Sequence, residues 1–80
     1  MTRTEVEVRI RAAIEAAGSD SEARRFIEES FSGEPIVQMN LVVTWLCDGY
    51  KCVDFCWTDV EGSRQSVIVD NQVCDAKHLN

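Results

Sequence analysis

The chain has 80 residues, of which 45% are apolar, and a formal net charge of −6 at pH 7. This composition is typical of one small globular domain and excludes a disordered chain. The acidic excess disfavours direct binding to nucleic acid or anionic lipid, and the apolar runs are too short to span a membrane.

Residues 4–17 are predicted to form the first helix. Thr4 and Glu7 have the Thr-x-x-Glu spacing of a capping box. Helical spacing also gives one apolar stripe, made of Val6, Ile10, Ala13, Ile14 and Ala17. We expect Gly18 to end this helix in the left-handed conformation.

A second helix is predicted over residues 19–32. Ser19 and Glu22 form another capping-box pattern, and the Gly33 and Pro35 signal ends the segment. Its apolar face comprises Ala23, Phe26, Ile27 and Phe31.

From Ile36 onward the apolar period changes to two, which predicts strands. The expected strands cover 36–47, 50–59 and 63–73, followed by a tail over 74–80. The sequence therefore predicts a single α+β domain over residues 1–80, with an ααβββ order. In it, two N-terminal helices pack on one face of a three-stranded antiparallel meander.

Two glycine-containing turns predict the register of the three strands. Three-residue loops at 47–49 and 60–62 would each place a left-handed glycine in the third position, at Gly49 and Gly62. One face of the sheet then becomes apolar. The predicted pairs are Trp45–Lys51, Val43–Val53, Leu41–Phe55, Met39–Trp57, Phe55–Val67 and Val53–Val69.

Cysteines cluster around the first turn, at Cys47, Cys52 and Cys56. In this register Cys52 and Cys56 lie on the second face of the sheet with Asp54 between them, about 13 Å apart between Cα atoms. That separation is too long for a disulfide, and the spacing to Cys74 lacks the pairing of a zinc site. We expect free thiols that pack as small apolar side chains, and a Cys-dependent metal or redox protein is the weakest alternative.

The second face of the sheet mixes apolar and polar side chains. Its apolar members are Val42, Leu46, Cys52, Cys56 and Ile68, and its polar members are Thr44, Asp54, Ser66 and Asp70. This face is either a surface partly covered by the tail 74–80 or an interface for a partner or a second copy. The two outer strands also have edges that could accept a strand.

Motifs for catalysis are missing, so we expect no enzyme and no cofactor. The single histidine, His78, lies in the tail, and no base accompanies the serines. The glycines are isolated from one another and form no phosphate-binding loop.

Acidic side chains are the remaining candidates for function, as contacts to a basic protein surface. On the second helical segment these are Glu22, Glu28, Glu29 and Glu34, and on the sheet they are Asp48, Asp54, Asp59, Glu61 and Asp70. The alternative is a self-associating accessory or immunity-type subunit, a homodimer held through the semi-apolar sheet face.

The stretches "SDSEARRFIEESFSGE" and "CDGYKCVDFCWTDVEGS", in a small acidic α+β chain, resemble the phage-encoded anti-CRISPR proteins. The resemblance is one of size, charge and layout over the whole chain, with no shared motif. It implies a DNA-mimicking inhibitor that occupies a nucleic-acid-binding surface of a CRISPR effector complex. With no apolar leader near residue 1, we expect a cytoplasmic protein, in the host cytoplasm if a phage encodes it.

Overall fold

A computed structural model describes residues 2–71, and the predictions for Cys74, His78 and the tail 74–80 lie outside them. The elements are α1 (Arg3–Ala16), α2 (Asp20–Phe31), β1 (Ile36–Trp45), β2 (Lys51–Asp59) and β3 (Arg64–Asp70). The strands form one antiparallel sheet in the order β1-β2-β3. The α+β class and the ααβββ layout are confirmed. Neither helix is long and apolar enough to cross a lipid bilayer in the part of the chain described.

Helix α1 begins earlier than the sequence predicted. Thr2 is the N-cap: its hydroxyl oxygen accepts from the Glu5 N–H at 3.1 Å, and the Glu5 carboxylate accepts from the Thr2 N–H at 3.0 Å. The capping box predicted at Thr4 and Glu7 is wrong. The same spacing occurs two residues earlier, and starting there adds a helical hydrogen bond from Val6 to Thr2. These bonds to Thr2 lower the pKa of Glu5.

The junction between the helices does not use a left-handed glycine. Helix α1 ends at Ala17, which is extended with φ −84° and ψ 145°, and the positive-φ glycines of residues 2–71 are Gly49 and Gly62 alone. The Glu22 carboxylate accepts from the Gly18 N–H at 2.7 Å, while the Ser19 hydroxyl accepts from the Glu22 N–H at 3.2 Å. Of the predicted second capping box, the hydrogen bond from the Glu22 N–H to the Ser19 hydroxyl forms. The reciprocal bond does not, because the Glu22 carboxylate accepts from the N–H of Gly18 and not from that of Ser19.

The strand register is the predicted one throughout the centre of the sheet. Gly49 has φ 94° and Gly62 has φ 90°, so each turn places its glycine in the left-handed region. All six predicted pairs are present: Trp45–Lys51, Val43–Val53, Leu41–Phe55, Met39–Trp57, Phe55–Val67 and Val53–Val69. Because side chains alternate along a strand, this register sends the apolar residues to the helical side.

A bulge at the start of β1 was not predicted. Ile36 pairs with Asp59 and Gln38 pairs with Thr58, so Val37 is an extra residue in β1. Ile36 packs against the core, whereas Val37 is 64% exposed. The regular alternation predicted from Ile36 onward therefore begins at Gln38.

The core lies between the sheet and the two helices. Phe55 is fully buried at its centre, stacked on Phe31 with ring centroids 4.9 Å apart and tilted against Trp57 at 5.5 Å. Helix α1 packs mainly over β3 and α2 packs over β1. This arrangement leaves the other face of the sheet uncovered by either helix.

Candidate functional site

The candidate site is the sheet face opposite the helices, which we call the outer face. It comprises Gln38, Asn40, Val42 and Thr44 of β1, Cys52, Asp54, Cys56 and Thr58 of β2, and Arg64, Ser66, Ile68 and Asp70 of β3. Register alone places these residues, because each is paired in a row across the three strands. The outer face thus contains two carboxylates, one guanidinium and a group of aliphatic and thiol side chains.

Asp54 lies in the middle row of the outer face, on the central strand. Val42 flanks it from β1 and Ile68 from β3, and these two side chains are 54% and 66% exposed. The Cys56 thiol lies 3.7 Å from a carboxylate oxygen of Asp54, at hydrogen-bonding distance for sulfur. An exposed carboxylate between two exposed aliphatic side chains suits a long cationic side chain, whose stem is apolar and whose end is charged.

Tyr50 adds a polar cluster at one end of the outer face. Its hydroxyl donates to the Asp70 carboxylate at 3.5 Å. A hydrogen bond with the Cys52 side chain, partial removal from water and the negative charges of Cys52 and Asp70 raise the pKa of Tyr50 to about 12. The phenol therefore stays neutral at physiological pH and remains a hydrogen-bond donor beside Asp70.

At the opposite end of the outer face the charged side chain is Arg64, with Asp59 and Glu61 beside it in the β2–β3 hairpin. Arg64 is exposed there and shares a shallow depression of about 80 Å³ with Asn40 and Cys56. The carboxylates of Asp54 and Asp70 thus occupy the middle and one end of the face. Among the side chains of the outer face, the carboxylates therefore lie in the middle and toward the 47–49 loop, and the guanidinium lies at the other end.

Besides Asp54 and Asp70, whose contacts with Cys56 and Tyr50 are given above, four more of the nine predicted contact residues have partners within the chain. Glu34 forms an ion pair with Arg9 at 2.9 Å and lies after α2, not on it. Glu22 caps Gly18 and lies 3.9 Å from Arg25.

Asp48 and Asp59 each shape a hairpin loop. Asp48 accepts from the Tyr50 N–H at 3.0 Å, and Asp59 accepts from the Glu61 and Ser63 N–H groups at 3.0 and 2.9 Å. Their carboxylates, with those of Glu22 and Glu34, therefore have structural roles in the folded chain.

The structure does not bring the nine predicted acids into one surface. Glu28 and Glu29 are exposed on α2, on the helical side of the sheet, and Glu61 is exposed in the 60–62 loop. The carboxylates of these three residues make no hydrogen bond or ion pair with another side chain or backbone group of the described range. Asp54 lies on the other side of the molecule from Glu28, so one flat partner surface cannot contact both.

Sequence reasoning placed Val42 and Ile68 on the outer face but left them out of the predicted contacts, and it missed Tyr50 altogether. Tyr50 has the same parity as Cys52 and Asp54, so strand alternation could have placed it on this face.

The outer face contains two of the three described cysteines. Cys52 and Cys56 are half-buried free thiols, whereas Cys47 is exposed in the first hairpin loop. Within residues 2–71, no group of three or more His, Cys, Asp or Glu side chains is arranged to hold a metal ion.

Comparisons of this chain with protein-family models, with curated proteins and with solved structures found no match.

Proposed function

We propose that this chain is a small acidic binding protein that blocks a basic, nucleic-acid-binding surface of a partner protein, as the anti-CRISPR proteins do. The outer face is the contact surface in this proposal. The observation that carries it is the position of Asp54, exposed on the central strand between the exposed side chains of Val42 and Ile68.

The mechanism follows from the chemistry of that row. An arginine or lysine of the partner would lay its methylene stem along Val42 or Ile68 and place its charged end on Asp54. Asp70, a diagonal neighbour of Asp54 on the same face, would accept a second cation. A cation held in this way is no longer free to bind a phosphate, so the partner loses affinity for nucleic acid.

The outer face fits this role better than the acidic side of α2. Glu28 and Glu29 are both exposed, but Arg24 and Arg25 precede them on the same helix and reduce the local negative charge. Phe26, a large apolar side chain next to them on α2, is only partly exposed and already lies under the Arg25 guanidinium, 5.3 Å from its ring centroid. The outer face combines charge with apolar area, which is the usual composition of a protein interface.

The row of Val42, Asp54 and Ile68 also disfavours self-association through the outer faces of two copies. Asp54 lies near the centre of the face, so stacking two copies there would bring carboxylates together away from water. A basic partner removes this penalty, because it supplies the opposite charge.

Capture by purified CRISPR effector complexes, at low and at high salt, tests the proposal. We expect capture by a susceptible complex that weakens steeply as salt rises, and loss of capture when target DNA is bound first. Asp54→Lys should abolish capture. Glu28→Lys, which makes the same charge change at an exposed helical site, should reduce it only slightly.

Two results would contradict the proposal. If no complex in a panel that covers the known effector types captures the chain, the proposal that its partner is a CRISPR effector is wrong. Capture that is insensitive to salt, or lost with Glu28→Lys and kept with Asp54→Lys, would remove the outer face as the contact surface.

A further inference from the structure

A second depression lies on the helical side of the sheet, at the end opposite the 47–49 loop and beside the bulge of β1. It has a volume of about 230 Å³ and is lined by Pro35, Ile36, Trp57, Asp59, Val60 and Glu61. Pockets for whole small molecules are larger, roughly 300–1,000 Å³. The size of this depression therefore suits one inserted side chain.

The floor of the depression is apolar. Trp57 is 4% exposed, Ile36 packs against the core, and Val60 is 67% exposed at the rim. The Trp57 indole N–H makes no hydrogen bond within residues 2–71. Since no side-chain nitrogen or oxygen of these residues is both buried from water and unpartnered, this N–H reaches water. Trp57 thus offers a ligand an aromatic surface and a free hydrogen-bond donor.

Two carboxylates give the same depression a negative charge. Asp59 accepts from the Glu61 and Ser63 N–H groups through one oxygen, Oδ1, at 3.0 and 2.9 Å. Its second oxygen, Oδ2, accepts no hydrogen bond within residues 2–71. The Glu61 carboxylate is exposed and equally unpartnered in this range. Free carboxylate oxygens of two residues therefore lie beside an apolar floor.

The basic side chains nearby do not neutralise these carboxylates. Arg64 is in register with Thr58 on the outer face, and it forms no ion pair with Asp59 or Glu61. Arg9 lies near the segment between α2 and β1, but its guanidinium is bound by the Glu34 carboxylate and the Ser30 carbonyl. A cation that fills the depression must come from outside residues 2–71.

We propose that this depression binds an arginine side chain of a partner protein. A guanidinium is planar, stacks on aromatic rings and forms paired hydrogen bonds with carboxylates, whereas the lysine ammonium is a compact and strongly hydrated charge. The methylene stem of the arginine would lie along Ile36 and Val60. This site lies on the other side of the sheet from the outer face and shares no residue with it, so it does not depend on the proposed function.

An NMR titration of the isotope-labelled chain with N-acetyl-arginine amide tests the site. We expect saturable shifts of the Trp57 indole N–H and of the Val60 and Glu61 amides, with a dissociation constant in the millimolar range because a single side chain buries little surface. The Trp45 indole, at the other end of the sheet, is the internal control and should not shift. The neutral N-acetyl-citrulline amide should bind at least about fivefold more weakly, because it cannot form charge-assisted hydrogen bonds.

A matched pair of variants separates this site from the overall negative charge. Glu61→Gln should weaken binding of N-acetyl-arginine amide by about threefold or more. Glu15→Gln makes the same charge change at an exposed position near the end of α1 and should leave the binding unchanged.

Three results would overturn the proposal: no saturable shift of the Trp57 indole, equal binding of the citrulline compound, or tighter binding of N-acetyl-lysine amide. Shifts confined to the outer face would overturn it as well. The titration contains no effector complex, so its failure is distinct from a failure of capture through the outer face.

Discussion

Arg9 and Glu34 join α1 to the segment between α2 and β1 through an ion pair of 2.9 Å. The same guanidinium donates to the Ser30 carbonyl at 3.2 Å and lies 5.3 Å from the centroid of the Phe31 ring. One arginine thus fixes the C-terminal end of α2 against α1. Glu34 was predicted as a partner contact, and its ion pair with Arg9 gives it a role in stability as well.

Arg9→Gln is expected to lower the free energy of unfolding by about 1 kcal/mol, a value limited because water partly screens this half-exposed pair. Arg25→Gln is the matched control. Arg25 lies 3.9 Å from Glu22 and its side chain is 61% exposed, so its loss should change stability by no more than about 0.5 kcal/mol. Urea unfolding of both variants measures the difference, and equal midpoints would show that the Arg9 contacts contribute nothing beyond a surface charge.

The hairpin glycines should be sensitive to substitution in a way that Gly33 is not. Gly49→Ala and Gly62→Ala each force a side chain into the left-handed region, at φ 94° and 90°, and should destabilise the fold by about 1–2 kcal/mol. Gly33→Ala meets no atom within 4 Å and involves no positive φ, so its effect should stay within about 0.5 kcal/mol. Thermal unfolding of the three variants checks this order. A Gly33 variant as unstable as the other two would contradict the turn assignment.

Tyr50 is the only tyrosine in the chain, so the phenolate absorbance reports this residue alone. We expect its titration midpoint at about 12, and a lower midpoint, toward the ordinary value of 10, in Cys52→Ala. Because the folded-state pKa is raised, folding is favoured below pH 10 by the neutral phenol, and this stabilisation is lost as the pH rises toward 12. Circular dichroism recorded over the same pH range shows whether the chain is still folded. An unshifted midpoint in folded wild-type protein would exclude the contact between Tyr50 and Cys52.

The turn chemistry explains why the sheet could be predicted from the sequence. Gly49 and Gly62 each follow two loop residues, and a left-handed glycine in that position fixes a three-residue loop. Since the side-chain period of a strand is two, one such loop assigns every residue of a hairpin to a face. Both loops placed Phe55 on the same face, so the two hairpins independently predicted the same core.

The helix ends and the contact residues were harder to predict from the sequence, for physical reasons. Thr2 and Thr4 both precede a glutamate at capping-box spacing, and sequence alone does not choose between them. The carboxylates of Glu34 and Asp59 look alike in sequence, although one pairs with Arg9 and the other holds a turn. Long-range ion pairs and side-chain bonds to backbone depend on the finished fold, so net charge alone could not separate structural acids from exposed ones.

The thiols of Cys52 and Cys56 provide the most direct test of the claim that the outer face binds the partner. Proteolytic cleavage after Lys51 and Arg64 releases Cys52 and Cys56 together in the peptide 52–64, apart from Cys47. Mass spectrometry can therefore follow the alkylation of these two thiols separately from that of Cys47. On binding an effector complex, alkylation of the 52–64 peptide should slow several-fold while that of Cys47 changes little. Unchanged alkylation of Cys52 and Cys56 in a complex that no longer binds its target DNA would contradict the claim.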